Sequence, residues 1–202
     1  MRPNPGEVLH FSEDPTITIF RPHVARTARQ PEPYVWAVDQ ERAPDYWFPR
    51  QCPRALVRAG PATTAADRDR LIGAGDSSRV HAVEYSWLPA LLTTKLYAYR
   101  LPADRFRPFG DAASPHAHVS PEPVEPLGPA EPVGDLLACH AAAGIQLRVL
   151  DNLWAYWDEA AASTAVFSGI RLHNARPRPA WQAPRAERNG STARPSFGTV
   201  TP

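Results

Sequence analysis

Apolar and polar residues alternate with a period of two in several short segments, a pattern typical of strands with one buried face. The clearest segments are 7–12 (EVLHFS), 79–85 (RVHAVEY) and 95–101 (KLYAYRL). Runs rich in apolar, β-branched and aromatic residues predict further strands. These are 16–20, 34–38, 55–59, 145–150 and 169–174, with short edge strands at 117–120 and 124–127.

Helical spacing of apolar residues is restricted to shorter stretches between these strands. It predicts a helix over 131–143 that Gly144 ends, and a second over 152–163 with Asn152 as its N-cap. Three shorter helices are predicted at 40–47, 64–71 and 86–92. Many short strands with scattered helices favour an α+β fold of mixed, mostly antiparallel sheets with short flanking helices.

The chain divides by composition at about position 175. Its 202 residues are 43% hydrophobic and 21% charged, which is enough for one domain with a core. Residues 175–202 are rich in Pro, Arg, Ser and Gly and have little to bury. We therefore expect a single α+β domain over 1–174, followed by a flexible tail over 175–202.

Charge and targeting signals exclude several classes of partner. The segment 175–202 holds five arginines and one glutamate, so it carries +4 of a net charge of +1 and leaves about −3 on 1–174. A mildly acidic domain has no electrostatic footprint for nucleic acid. No run of 18 apolar residues or apolar leader occurs, so we expect a cytoplasmic protein without a membrane partner. The oligomeric state stays open.

Cysteine and histidine spacing does not predict a metal site. Cys52 and Cys139 lie far apart without neighbouring ligands, so neither zinc nor a disulfide framework is expected. The HxH at 116–118 could bind a metal on a strand, but it lies in a proline-bounded segment and is expected at the surface. Cys52 is expected to be an unreactive packing residue. Glu84 alternates with apolar residues, so we expect it to be buried in an ion pair with an arginine, either Arg54 or Arg79.

Two clusters stand out as candidate chemistry, since phosphate-binding loops, zinc-protease motifs and nucleophile elbows are absent from the sequence. His10 lies inside an early apolar strand, where a histidine is more often a core residue. The second cluster combines four aromatic residues with Arg50 and Arg54. The aromatic residues could simply fill a core, or they could form a cleft for a planar ring, with a guanidinium holding a phosphate. They are Trp36, Tyr46, Trp47 and Phe48.

Several motifs resemble those of a bacterial family known only as a domain of unknown function. They are LHFSEDP, VWAVDQERAPDYWFPRQCPR, RVHAVEYSWL, TTKLYAYRLP, VSPEPVEPLG, GIQLRVLDNLW and FSGIRLHNA. They occur in order over about 8–174. This resemblance implies no particular activity.

A second, fold-level resemblance is to the ADP-ribosyltransferases. His10 with Ser12 matches the early strand whose histidine holds the nicotinamide ribose, and Ala37 with Tyr46 matches the later strand and helix whose tyrosine stacks on nicotinamide. The segment 119–128 (VSPEPVEPLG) is similar to the third element, which carries the acidic residue.

This resemblance implies that NAD is a substrate. His10, Tyr46 and Glu122 would be the catalytic residues, with Glu122 near the ribose 2′-hydroxyl. Neither Glu122 nor Glu125 lies clearly at the family's catalytic position, and His116 or His118 could occupy it instead. Either Arg21 or Arg50 would meet the pyrophosphate. The predicted cofactor-binding residues are Ser12, Arg21, Ala37, Arg50 and Arg54.

Three hypotheses follow. An ADP-ribosyltransferase-like enzyme, or a protein that binds NAD or a related nucleotide, predicts one cleft that joins His10 and Tyr46. A non-catalytic interaction protein predicts an exposed aromatic-rich patch over 36–54. A small hydrolase would use His10 with Glu13 or Asp14.

Overall fold

The computed structural model describes residues 1–24, 31–110 and 115–179. Most of the predicted flexible tail, from residue 180 onward, lies outside the described residues. Its first five residues, 175–179, are described, and among them Arg176 contacts Glu84 and Arg178 contacts Trp154.

The described chain contains ten strands. In chain order they are β1 (Glu7–Ser12), β2 (Val35–Ala37), β3 (Arg54–Arg58), β4 (Arg79–Glu84), β5 (Tyr97–Pro102), β6 (Arg107–Phe109), β7 (Ala117–Ser120), β8 (Glu131–Pro132), β9 (Gln146–Leu150) and β10 (Val166–Ile170). They form three sheets with the orders β10-β3-β4-β9, β1-β5-β8 and β2-β7-β6. All pairs are antiparallel except β4 and β9, which are parallel.

The helices are short. The α-helices are α1 (Ala65–Leu71), α2 (Leu88–Thr93), α3 (Leu136–Ala142) and α4 (Trp154–Ala161). Four 3-10 helices accompany them, at Ala43–Tyr46, Tyr85–Trp87, Ala103–Arg105 and Leu172–Asn174. Among the described residues, no helix has the length and apolar character needed to cross a membrane.

Mixed helices and mainly antiparallel sheets confirm the predicted α+β class. The predicted helix over 131–143 was wrong at its start. β8 occupies 131–132, Gly134 follows with φ of +88°, and Asp135 then caps α3 by accepting hydrogen bonds from the backbone N–H groups of Leu137 and Ala138. The left-handed glycine makes the chain turn before the helix can begin.

Other predicted elements also shrink or disappear. Within 40–47 the structure has a 3-10 helix, Ala43–Tyr46, with Pro44 in its first turn, where a missing N–H costs nothing. The predicted strands at 16–20 and 124–127 are absent, since these described segments share one isolated bridge between Phe20 and Val124.

Two contacts position the candidate site. Leu9 and Val38 exchange backbone hydrogen bonds of 2.8 Å, so β1 lies beside the segment that follows β2. The Ala43–Tyr46 helix comes next in the chain, and β3 starts eight residues after it, at Arg54. The large sheet packs one apolar cluster against α1 and α4 and another, which includes Trp47 and Phe48, against α2 and α3.

Candidate functional site

A cavity of about 70 Å³ lies where β1, β2, the Ala43–Tyr46 helix and the start of β3 meet. By the same measure a single water needs roughly 10–15 Å³, so the space suits a ring-sized group. Six of the predicted site residues line this one cavity: His10, Ser12, Ala37, Tyr46, Arg50 and Arg54. These separate segments therefore come together at one cavity, as expected. This outcome concerns the positions of the residues and not their roles.

His10 faces the cavity as a neutral imidazole. Its Nδ1 lies 2.7 Å from the carbonyl oxygen of Trp36. A carbonyl can only accept, so Nδ1 carries the proton and Nε2 keeps a free lone pair. Burial lowers the pKa of His10 to about 4, and the ring packs on Phe20 with centroids 4.5 Å apart.

Tyr46 ends the 3-10 helix and brings its ring to the same cavity. Burial raises the pKa of its phenol well above the ordinary value, so the hydroxyl stays protonated. The guanidinium of Arg54 lies 5.6 Å from the Tyr46 ring centroid and 4.9 Å from that of Phe48. The aromatic walls and the cation are thus in contact.

Arg54 is a buried cation, with 3% of its surface exposed. Its Nε donates to the Asp45 carbonyl over 2.8 Å, and its Nη1 donates to the Cys52 carbonyl over 3.0 Å. Burial lowers its pKa, but an arginine keeps its charge at any ordinary pH. In the described parts of the chain, no carboxylate lies within 4.0 Å of this guanidinium.

Two further arginines, Arg50 and Arg171, line the cavity. The backbone N–H of Arg50 donates to Glu13 over 2.8 Å, and the Arg50 carbonyl accepts from Nε of Arg171 over 3.4 Å. Arg171 follows β10 and has φ of 56° and ψ of 27°, the left-handed region that non-glycine residues rarely adopt. Strained backbone conformations of this kind cluster at functional sites.

Two predicted site residues lie outside the cavity. Arg21 is exposed on the segment after Phe20. Glu122 is exposed and pairs with Arg105 over 3.3 Å. Among the described residues, no aspartate or glutamate lines the cavity. The arrangement therefore does not bring the implied acidic residue to His10 and Tyr46.

The expected partners of Glu84 were wrong. Glu84 is buried as expected, but its carboxylate accepts from the backbone N–H groups of Leu153 and Arg176. Arg54 instead binds backbone carbonyls, and Arg79 pairs with Asp45 over 2.7 Å. Long-range contacts of this kind leave no trace in local spacing.

The expected surface position of the HxH segment was also wrong for His118. It lies on β7, half-buried, and its Nε2 is 3.3 Å from the Asp39 carboxylate. Within the described ranges, no group of three or more His, Cys, Asp and Glu side chains is placed to hold a metal. Cys52 is fully buried, and burial raises the pKa of its thiol to about 12, which makes it a poor nucleophile.

The sequence analysis did not single out Arg171 as a site residue, because it lies inside the predicted strand 169–174. In the structure β10 ends at Ile170, and Arg171 lines the cavity. In the motif FSGIRLHNA an arginine directly follows an apolar strand, and this position was the available signal. The left-handed backbone of this arginine cannot be predicted from the neighbouring residues.

The interaction-surface hypothesis required an exposed aromatic patch. Trp36, Trp47 and Phe48 are instead buried, with 3%, 4% and 1% of their surfaces exposed. These side chains fill cores and a cavity wall rather than a docking face.

A protein-family model described as a family of unknown function, DUF6886, matches residues 9–175. No curated protein and no solved structure matches the chain.

Proposed function

Because the chain belongs to DUF6886, a family of unknown function, we propose its function from the cavity: the protein binds NAD or a related nucleotide by its planar ring. The observation that carries the proposal is the shared cavity. His10 and Tyr46 come from segments 36 positions apart, and they line one ring-sized space together with aromatic side chains and three arginines.

The lining fits the ring end of such a ligand. Aromatic walls stack on a planar ring, and Nε2 of His10 accepts a hydrogen bond from a ring amide or a ribose hydroxyl. A space of about 70 Å³ excludes a complete dinucleotide. The phosphates therefore lie outside, where Arg50, an exposed residue of the lining, supplies a guanidinium suited to them.

The proposal is for binding and does not extend to group transfer. Cleaving nicotinamide from ribose develops positive charge at the anomeric carbon, which an enzyme must stabilise. The described lining contributes arginines and no carboxylate. Glu122, the candidate for that role, is exposed and paired with Arg105 elsewhere on the surface.

Titration calorimetry with NAD, ADP-ribose and nicotinamide tests the proposal. We expect saturable binding of NAD at submillimolar concentrations and at least about fivefold weaker binding for Tyr46→Ala, since one aromatic stack contributes about 1–3 kcal/mol. Tyr85→Ala is the matched control, because Tyr85 is 62% exposed and outside the cavity. Circular dichroism establishes that each variant is folded, and Tyr46→Leu replaces Tyr46→Ala if the smaller side chain unfolds the protein.

Absence of binding to wild type at millimolar concentrations of all three ligands would overturn the proposal. So would equal losses of affinity in the Tyr46 and Tyr85 variants, because a surface tyrosine has no contact with the cavity.

A further inference from the structure

We infer that, among NAD and its related nucleotides, the cavity prefers a ligand whose ring carries a carboxylate, and that Arg54 selects this aromatic acid over the corresponding neutral amide, which binds more weakly. The inference rests on the proposed function for the ring, and on the surroundings of Arg54 for the charge.

The first support is a surplus of hydrogen-bond donors. A guanidinium has five N–H donors, and Arg54 uses two of them, for the Asp45 and Cys52 carbonyls, which leaves three. Trp36 lines the same cavity, is 3% exposed, and its buried Nε1–H has no hydrogen-bond partner among the described residues. Buried donors ordinarily have a hydrogen-bond partner, so the remaining Arg54 N–H groups are the donors that a ligand in the cavity would satisfy.

The second support is the lack of a carboxylate to balance the cation. Burying an unpaired charge is costly, and buried arginines ordinarily pair with an acid. The nearest candidate, Asp45, offers Arg54 its backbone carbonyl, while its carboxylate lies 2.7 Å from Arg79 and 3.8 Å from Arg42. The missing negative charge is thus left to the occupant of the cavity.

The third support is shape. The Arg54 guanidinium lies against the rings of Tyr46 and Phe48, so the charged group and the flat walls belong to one surface. A carboxylate attached directly to a ring lies near the ring plane and matches the planar fork of a guanidinium. A phosphate ester is tetrahedral and bulkier, and fits a cavity of about 70 Å³ less well.

Two isosteric pairs test the inference by calorimetry: nicotinate against nicotinamide, and benzoate against benzamide. We expect each acid to bind wild type at least tenfold more tightly than its amide. Arg54→Met is expected to bring the acid-to-amide ratio close to one while amide binding persists. Arg58→Met, on the same strand but outside the cavity, is the control and should leave the ratio unchanged.

A second variant keeps the test decisive if Arg54→Met fails to fold. Arg54→Lys retains the charge but not the fork, and it should lower the ratio severalfold; an unchanged ratio would overturn the inference. Inorganic phosphate is the third probe, and Arg54-dependent phosphate binding as tight as that of the ring acids would also overturn it.

The outcomes separate this inference from the proposed function. Amides that bind as tightly as acids overturn the inference and leave a ring-binding site. If no amide, acid or dinucleotide binds, the proposed function itself fails.

Discussion

The Ala43–Tyr46 helix separates two regions that both bury charge, and they treat it in opposite ways. On one side Asp45, 3% exposed, lies 2.7 Å from Arg79, 3.4 Å from Nε2 of His81 and 3.8 Å from Arg42. Burial opposes ionisation of Asp45, but the Arg79 guanidinium and the other neighbours outweigh it and lower the pKa to about 2. On the other side Arg54 has backbone carbonyls and aromatic rings around it.

This difference distinguishes buried charges that stabilise the fold from buried charges that are available to bind a ligand. The Asp45 cluster supplies both signs from its own side chains, so it is complete without a ligand. The cavity supplies cations and unused donors, so it is complementary to a negatively charged group that the described residues do not supply.

Two histidines, His81 and His140, belong to the Asp45 cluster. They show that the cluster balances its charges but does not satisfy every hydrogen-bonding group. Nδ1 of His140 lies 2.7 Å from the Leu136 carbonyl, so it donates, and Nε2 of His140 accepts from Nδ1 of His81 over 3.1 Å. In neutral His81 the lone pair of Nε2 therefore faces Asp45. This nitrogen is buried and has no hydrogen bond among the described residues.

The largest predicted effect is on stability, from Asp45→Ala. Removing this carboxylate leaves Arg79 and the buried Arg42 without it, and breaking a buried ion pair costs about 3–5 kcal/mol. Urea denaturation measures the change in the free energy of unfolding. The matched control is Asp104→Ala, because Asp104 is also in a 3-10 helix but is exposed, and we expect a change within about 0.5 kcal/mol. Similar losses in both variants would erase the contrast between the two regions.

The next effect, which is smaller over any one pH unit, is a loss of stability in acid, to which both regions contribute. Burial lowers the pKa of His10, in the cavity, and of His81, in the cluster, from 6.5 to about 4. The unfolded chain therefore binds more protons than the folded chain between about pH 6.5 and 4, so stability is full above pH 6.5 and falls toward pH 4. The slope is up to about 1.4 kcal/mol per pH unit for each histidine.

The pH dependence of urea unfolding, measured for wild type and His81→Leu, tests this expectation. The variant should show a shallower slope between pH 6.5 and 4, because one titrating group is gone. His173→Asn, at an exposed position, is the control. A wild-type stability that does not change over this range would contradict neutral, buried histidines.

A third buried ionisable group, the Glu84 carboxyl, sharpens the comparison because its hydrogen-bond donors in the described parts of the chain are all backbone N–H groups. Its carboxylate accepts from the Arg176 N–H at 3.2 and 3.0 Å, and Arg176 belongs to the segment expected to be a tail. The free energy of unfolding of a chain that ends at 174 should be about 1.5–3 kcal/mol lower than that of a chain that ends at 179, because hydrogen bonds to charged groups contribute that much.

Glu84→Gln provides the second arm of that experiment. With the carboxylate gone, the difference between the two chain lengths should shrink. An equal difference with Glu84 and with Gln would assign the stabilisation to other contacts of 175–179, such as Arg178 over the Trp154 ring at 4.4 Å.

The sequence predicted what alternation and order can encode. Strands β1, β4 and β5 follow from strict period-two patterns, and the placing of His10 and Tyr46 at one cavity was expected from the order of their motifs. It could not predict contacts across long separations. Arg176 meets Glu84 over 92 positions, and nothing in local spacing could announce that contact.

Local conformation set the other limit. Gly134 and Arg171 both adopt left-handed backbone: Gly134 delays the start of a predicted helix, and Arg171 lines the cavity. Glycine at such a position can be anticipated, but arginine cannot.

The smallest predicted effect is that of Glu122→Gln, and it tests where the boundary of the cavity lies. Glu122 and Arg105 form an exposed pair at 3.3 Å, which typically contributes less than about 1 kcal/mol. We expect the unfolding free energy to change by less than about 0.5 kcal/mol and ligand affinity to stay within twofold, because the carboxylate lies outside the cavity. Calorimetry on the same ligands measures the affinity, with Tyr46→Ala as the sensitive reference. If Glu122→Gln weakened binding as much as Tyr46→Ala, the segment carrying Glu122 would have to close over the bound ligand. The contrast between the Asp45 cluster, which pairs its own charges, and the cavity, whose described lining has no carboxylate, would then apply only to the protein without ligand.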